Sequence, residues 1–553
     1  MPALRRSALI STSLKTSVAA LALAAALSGC TSTAPAGTGS SASAGANSGA
    51  APGPAATAAE MTEDTHYDDD DLTWDADQEI VVDLGAGTAA DGVSVDGETV
   101  TITTAGTYRL SGSLTDGQVV VAAGEEDVVR VILDGVNLTS SSGSPFVSTS
   151  ANEVILYLEE GTSNTLSDAA TYAATADDAP NAALYSTVDL TIAGAGALKV
   201  AGNAFDGIVS KDGLVLAGGD VIVNAVDDGI KGKDYLVLAG GRYNVTAGDD
   251  GVKSTNDEDE NRGWLSVYGG ELAVSSGDDA VKAETQLTVH DGTLKISESV
   301  EGMEAAHISI NGGTIDITAS DDGINAAGGT TTDTASTAED RGGVAGEPPA
   351  MPEGGMPGAE MPEGAMPGGE IPESGLRGGG MGPGGGEMAV GDYSIIVTGG
   401  NVTVNAEGDG IDSNGNATVS GGTVVVHGPT NNGNGALDVN GTLAVDGGTL
   451  IAAGSAGMAQ APAASSAQPA VQLTWDTEVA PGTLIQLADA SGTVIATFTP
   501  LKGTASLVYS SVDIAAGETY TAYTGGAEGS LDGADEAGTA VGGEYSQGFP
   551  GWR

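Results

Sequence analysis

The sequence predicts an all-β protein, a parallel β-helix closed by a small C-terminal β cap, and three observations carry that prediction. One acidic phrase recurs: Phe205-Asp-Gly-Ile, Asp227-Asp-Gly-Ile-Lys, Asp249-Asp-Gly-Val-Lys, Asp278-Asp-Ala-Val-Lys, Val300-Glu-Gly-Met-Glu and Asp321-Asp-Gly-Ile-Asn. Its second position (Asp206, Asp228, Asp250, Asp279, Glu301, Asp322) returns at steps of roughly 22, 22, 29, 22 and 21 residues, the spacing of a solenoid. Within each period, apolar and polar residues alternate on both sides of a Gly-rich turn, as in Leu236-Val-Leu-Ala-Gly-Gly-Arg-Tyr-Asn-Val-Thr, and a period of two means strands. Finally, 87 Gly against four Phe and four Trp would starve a compact core, yet suits a narrow interior of Val, Ile, Leu and Ala with many turns.

Alignment of the periods sets three apolar columns: Leu214, Leu236, Leu265, Leu287 and Ile308; Val221, Tyr243, Leu272, Leu294 and Ile315; and Ile208, Ile230, Val252, Val281, Met303 and Ile324. Three inward columns make a three-sided coil. Each strand then pairs with its equivalent in the next coil, about 4.8 Å away, and like side chains stack along the axis.

A formal charge of −57 excludes nucleic acid as a partner, because too few cations are available to displace the counterions around phosphates. It suits an exported protein, or one that takes up divalent cations.

In chain order, residues 1–29 read as a signal peptide: Arg5, Arg6 and Lys15, an apolar run from Ser17 to Leu27, then Leu27-Ser28-Gly29. The single cysteine, Cys30, follows directly, so no internal disulfide can form. Its setting resembles the lipobox of bacterial lipoproteins, whose thiol is diacylated. Two acyl chains would hold the mature protein at the outer, extracellular face of a membrane. Residues 30–71, rich in Ala, Gly, Ser, Thr and Pro before Asp68-Asp-Asp-Asp71, are expected to form a disordered tether.

Coils are expected from 72 to 455. Residues 329–389, with Met351-Pro, Met356-Pro, Met361-Pro and Met366-Pro, cannot continue a strand and read as a loop inserted between coils. The repeat resumes at Tyr393 and passes through Gly408-Asp-Gly-Ile-Asp412, giving roughly eleven coils, or about 50 Å of stacked sheet. Residues 471–527 read as the antiparallel cap and 528–553 as a flexible tail.

The acidic column is the first candidate for chemistry. Stacked carboxylates repel, and the remedies are a cationic partner, protonation or a bound metal ion. Lys231, Lys253 and Lys282, three residues beyond Asp228, Asp250 and Asp279, would make a salt-bridge ladder. The alternative is Ca2+, which takes six to eight oxygens at flexible distances. Its best candidate site is Asn256-Asp-Glu-Asp-Glu-Asn261, where the period lengthens and Asp257 and Asp259 come next to Asp249, Asp250, Asp278 and Asp279, with Asp228, Glu301 and Asp322 of the column as further candidate ligands. That stretch lacks the Gly and terminal Glu of an EF-hand.

The alignment that turns Leu236 and Leu265 inward turns Tyr235 and Trp264 outward on neighbouring coils, a pair of faces suited to stacking on sugar rings. The thioethers of the Met-Pro insert read as low-complexity linker in preference to a Cu(I) site. His66, His290, His307 and His427 are scattered, and the chain holds no nucleophile constellation.

Between about 72 and 527 stand Ile132-Leu-Asp-Gly-Val-Asn, Glu160-Gly-Thr-Ser-Asn-Thr-Leu, Asp206-Gly-Ile-Val-Ser-Lys-Asp, Val226-Asp-Asp-Gly-Ile-Lys-Gly-Lys-Asp and Tyr520-Thr-Ala-Tyr-Thr-Gly-Gly. On these motifs the stretch resembles the bacterial carbohydrate-binding β-helix lipoproteins. The resemblance implies a right-handed, pectate-lyase-like β-helix, calcium held by repeat carboxylates, and binding of plant cell-wall polysaccharide such as cellulose or polygalacturonate. The expected function is non-catalytic, calcium-dependent polysaccharide binding by a monomer. Two alternatives stand beside it: a pectate-type lyase in which Lys231, Lys253 or Lys282 abstracts the α-proton, and an envelope scaffold or adhesin without a glycan ligand.

Overall fold

The computed structural model describes residues 55–61, 63–87, 89–173, 176, 179–328 and 390–545. The expected signal peptide, Cys30, the first part of the tether, the insert at 329–389 and the end of the tail lie outside the described residues.

Alternating sequence around Gly turns forms short strands that stack in three parallel ladders, an all-β arrangement consistent with a solenoid. In the first ladder Leu190, Leu214, Leu236, Leu265, Leu287 and Ile308 stand in register. In the second, Leu198, Val221, Tyr243, Leu272, Leu294 and Ile315 do so. In the third, Ile208, Ile230, Val252, Val281, Met303, Ile324, Ile411 and Leu437 align. All of these side chains are buried in one continuous core. The first two ladders belong to one sheet because Gly106–Leu114 and Val128–Thr139 run unbroken from one into the other.

Glycine in the acidic phrase answers to the closeness of the coils. A Cβ on Gly229 would stand 2.3 Å from Val245 Cγ1 and 2.4 Å from the carbonyl oxygen of Gly251 in the next coil. Between the first two ladders the demand is conformational, as at Gly241, where φ is +86°. The insert interrupts the chain but leaves the ladders continuous: His307 pairs with Ser394, Thr314 with Asn401 and Ile324 with Ile411.

At the C-terminal end, Thr504–Ser510 pairs antiparallel with the last strand of the second ladder, Thr449–Gly454, and with Ala470–Val479. It thereby covers an edge that would otherwise present unpaired backbone groups. A separate antiparallel sheet joins Val494–Phe498, Ile485–Ala488, Thr519–Gly525 and Ala534–Val541. The cap therefore runs past the expected boundary at 527. Residues 534–541 of the expected tail pair along Thr519–Gly525, a register that their Gly/Glu/Ala composition does not announce.

The expected tether also ends earlier than its composition suggests. Residues from Ala55 to Leu72 pack along the outside of the first ladder, where Tyr67 is buried with Ala193, Val215, Ala217, Tyr235, Val237 and Ala239. The Ala56 N–H donates to the Ala239 carbonyl at 2.9 Å. The cause is the apolar outer face of these coils: Val215 and Val237 point away from the core, and covering them removes that surface from water.

Candidate functional site

The second position of each acidic phrase lies at the corner entering the third ladder, and its carboxylate reaches the next coil. Asp206 Oδ1 accepts from the Asp228 N–H at 3.2 Å, Asp228 Oδ1 from the Asp250 N–H at 3.3 Å, and Asp250 Oδ1 from the Asp279 N–H at 3.0 Å. The lysines stand in register on the adjoining strands and close the gaps from the side. Lys231 Nζ lies 2.7 Å from Asp206 Oδ2 and 2.8 Å from Asp228 Oδ2. Lys253 bridges Asp228 and Asp250 in the same way, and Lys282 bridges Asp279 and Glu304. Burial opposes the charge on all three ammonium groups, but the flanking carboxylates outweigh it and hold them above the usual lysine range. Burial likewise acts to raise Asp228, and Lys231 with Lys253 reverses the effect and holds it below the usual range. In these coils the salt-bridge ladder is what the structure contains.

Beyond Lys282 the ladder changes character. The register position of the lysines passes to Glu304, Asn325, Asp412 and Asp438, while Glu301, Asp322 and Asp409 continue the acidic side. Burial and neighbouring carboxylates push Glu301 and Asp412 up to about 8. Asp409 rises to about 7 and Asp322 to about 6, although each accepts a backbone N–H. Asn325, only 7% exposed, donates from Nδ2 to Glu301 Oε2 at 2.9 Å, and its Oδ1 has no donor among the described residues. Asp409, Asp412 and Asp438 were not singled out from the sequence; Asp409 occupies the repeated position in Gly408-Asp-Gly-Ile, which was the available signal.

Carboxylate oxygens converge within 4.8 Å in three described groups: Asp227, Asp228 and Asp249; Asp250, Asp278 and Asp279; and Asp279, Glu301 and Glu304. Asp249 is pushed up to about 6 by burial and by Asp250, and Asp278 is raised by burial and Asp279. Asp257 and Asp259 belong to none of these groups. Their loop is satisfied locally: Asn256 Oδ1 accepts the N–H groups of Glu258 and Asp259, and Asp259 Oδ1 accepts from Asn261.

Tyr235 and Trp264 do project outward and stack, with ring centroids 4.7 Å apart and planes at 6°. Tyr235 is nevertheless only 3% exposed, because the segment before Leu72 covers it. His66 donates its backbone N–H to the Tyr235 hydroxyl at 2.7 Å and places Nδ1 2.6 Å from the same oxygen. The expected open stacking platform is thus an internal contact, with Trp264 half-buried at its edge.

Stacked parallel coils with a polar, carboxylate-lined corner define a class of rigid repeat proteins that present side chains at fixed spacing. Within that class, residues 96–341 match the family model described as carbohydrate-binding domain-containing protein. A carbohydrate-binding domain-containing protein of Acetivibrio thermocellus is 39% identical over 157 residues, 28% of this chain and 55% of that protein. The chain thus spans about half the length of this curated relative. A solved structure, described as the polysaccharide lyase-like protein from C. thermocellum in a gadolinium derivative, is 32% identical. That match covers 44% of this chain and 94% of the other, with a TM-score of 0.37.

Proposed function

We propose that this protein is a non-catalytic, calcium-dependent binder of plant cell-wall type polysaccharide, cellulose or polygalacturonate. In this reading the coils form a right-handed β-helix, and a monomer is held at the extracellular face of the membrane through a lipid on Cys30. The observation that carries binding over cleavage is the state of the lysines. Lys231, Lys253 and Lys282 each lie between two carboxylates that hold the proton on Nζ. A lyase base must give up that proton near neutral pH, so these three groups are poor candidates for the role.

Calcium fits best at the last rung of the ladder, where Lys282 pairs with Asp279 and Glu304 and no ion pair reaches Glu301 among the described residues. Asp279, Glu301 and Glu304 bring three carboxylates within reach of one another, beside Asn325, whose Oδ1 has no donor among the described residues. Hard oxygen donors of this kind suit calcium, and a bound cation would relieve the repulsion that raises Glu301. Its contribution there would be charge neutralisation and stiffening of the coils. Lysine pairs with carboxylates in all three groups, and what distinguishes the third is the raised Glu301 hydrogen-bonded to Asn325.

The test is retention of the protein on insoluble cellulose and on crosslinked polygalacturonate, with calcium and with chelator, while ultraviolet absorbance follows unsaturated product. Retention that chelator removes, without product, is expected. Product formation that is lost on replacing one of the three lysines would make the protein a lyase. Absence of retention on either matrix would favour the scaffold reading.

A further inference from the structure

The covering of Tyr235 leaves open where a sugar ring would rest, and a second aromatic side chain answers that question. Phe205 occupies the first position of the acidic phrase, where Asp227, Asp249, Asp278 and Asp321 stand in other coils. It is 39% exposed, large and apolar, at a corner that carries Asp in four other coils. Tyr172 meets it edge to face, with centroids 5.2 Å apart and planes at 83°. The Tyr172 hydroxyl donates to Asp168 Oδ2 at 2.7 Å, so the supporting ring is fixed from behind. Phe205 is therefore a held platform.

Beside it opens a cleft of about 430 Å³, walled by Tyr172, Phe205, Thr171, Pro180, Asn181 and Lys211. That size lies in the lower part of the roughly 300–1,000 Å³ range of small-molecule sites and admits one or two sugar rings. The polar group that distinguishes the cleft is Lys211. Lys231, Lys233, Lys253 and Lys282 each pair with a carboxylate, whereas the Lys211 ammonium has no ion-pair or hydrogen-bond partner among the described residues. Burial lowers its pKa, as do Lys231 and Lys233, with Asp206 and Asp228 opposing. In a chain of formal charge −57, an ammonium unpaired among the described residues and beside an exposed aromatic ring is a local reversal of the surface chemistry.

We propose that this cleft is a subsite for a sugar ring bearing a carboxylate, in which Phe205 stacks on the apolar face of the ring and Lys211 pairs with the carboxylate. The ring face supplies affinity shared by acidic and neutral sugars. The ammonium supplies the preference, because a charge-assisted hydrogen bond forms only with the acidic ring. The inference rests on the glycan-binding reading above and assigns a place and a selectivity to it.

The experiment is calorimetric titration of the full chain with trigalacturonate and with neutral galactotriose, at fixed calcium, for the natural protein, Phe205→Ala and Lys211→Met. Thermal melts accompany each variant. Phe205→Ala is expected to weaken both ligands about tenfold or more. Lys211→Met is expected to weaken trigalacturonate about tenfold and leave galactotriose unchanged. If both variants bind like the natural protein, the cleft is not the subsite, although the glycan-binding function stands. Equal loss of both ligands in Lys211→Met would overturn the assigned selectivity. If the natural protein binds neither trimer and is not retained on either polysaccharide, the subsite and the function fall together.

Discussion

Lys253 holds its Nζ 2.7 Å from Asp228 Oδ1 and 2.8 Å from Asp250 Oδ2, joining the carboxylates of two successive coils. All three side chains are largely buried, so removing the cation leaves two charges facing each other out of water. Lys253→Met should destabilise the coils by about 3–5 kcal/mol, the usual result of breaking a buried pair from one side. Urea denaturation measures this. A change within experimental scatter would mean that solvent or a metal ion, and not the lysine, balances the carboxylates.

The coils beyond Lys282 should respond to pH in the opposite manner to ordinary salt-bridged carboxylates. Glu301 and Asp412 are pushed up to about 8 and Asp409 to about 7, above the values of 4.5 and 3.8 that Glu and Asp have when free. The folded state holds these protons more tightly than the unfolded chain, so stability is fullest below the unfolded values and falls as pH rises through the folded ones. In chelator, the melting midpoint should drop between about pH 5 and pH 8.

Added calcium should restore the midpoint at the alkaline end and do little at the acidic end, since its ligands must be deprotonated. Melting curves at both ends, with calcium and with chelator, check this. A calcium shift of equal size at both pH values would remove the acidic stack from consideration as the binding site.

The covering segment should loosen as pH rises. Burial disfavours a charged His66, but the hydrogen bond and charge of Asp189, with Glu153 and Asp71, prevail and raise its pKa above 6.5. Its contribution is therefore complete below about 6.5 and is lost as pH rises through the folded value. Glu153, pushed up to about 7 by burial, acts in the same direction. Protease cleavage between Ala55 and Leu72 should be slow at about pH 5.5 and faster at about pH 8.5, and His66→Gln should remove much of the difference. Cleavage independent of pH would rule out this clasp.

Val252 stacks between Ile230 and Val281 and is buried. Val252→Asp would place an unpaired carboxylate there, at a cost of several kcal/mol, and should unfold the central coils. Circular dichroism and melting that stay as in the natural protein would refute the inward assignment.

The period of the acidic phrase and the alternation around each Gly turn determined the stacked coils, the three inward columns and the position of the insert, because both signals are local and repeat identically. The pairing of Asp228 and Asp250 with Lys253 was one of two readings open in the sequence, since a carboxylate column with lysines three residues on is compatible with ion pairs or with a metal ion. Only the register of adjacent strands sets each lysine between two carboxylates in those coils, and the same register shows the lysines giving way to Glu304, Asn325, Asp412 and Asp438. The fate of Tyr235 was beyond sequence reading for a different reason. Its outward direction follows from period two, but its burial depends on His66, 169 residues away in a stretch whose composition reads as tether. Composition reports what a segment can do alone; the apolar outer face formed by Val215 and Val237 exists only once the coils are stacked, and that face is what holds the segment down.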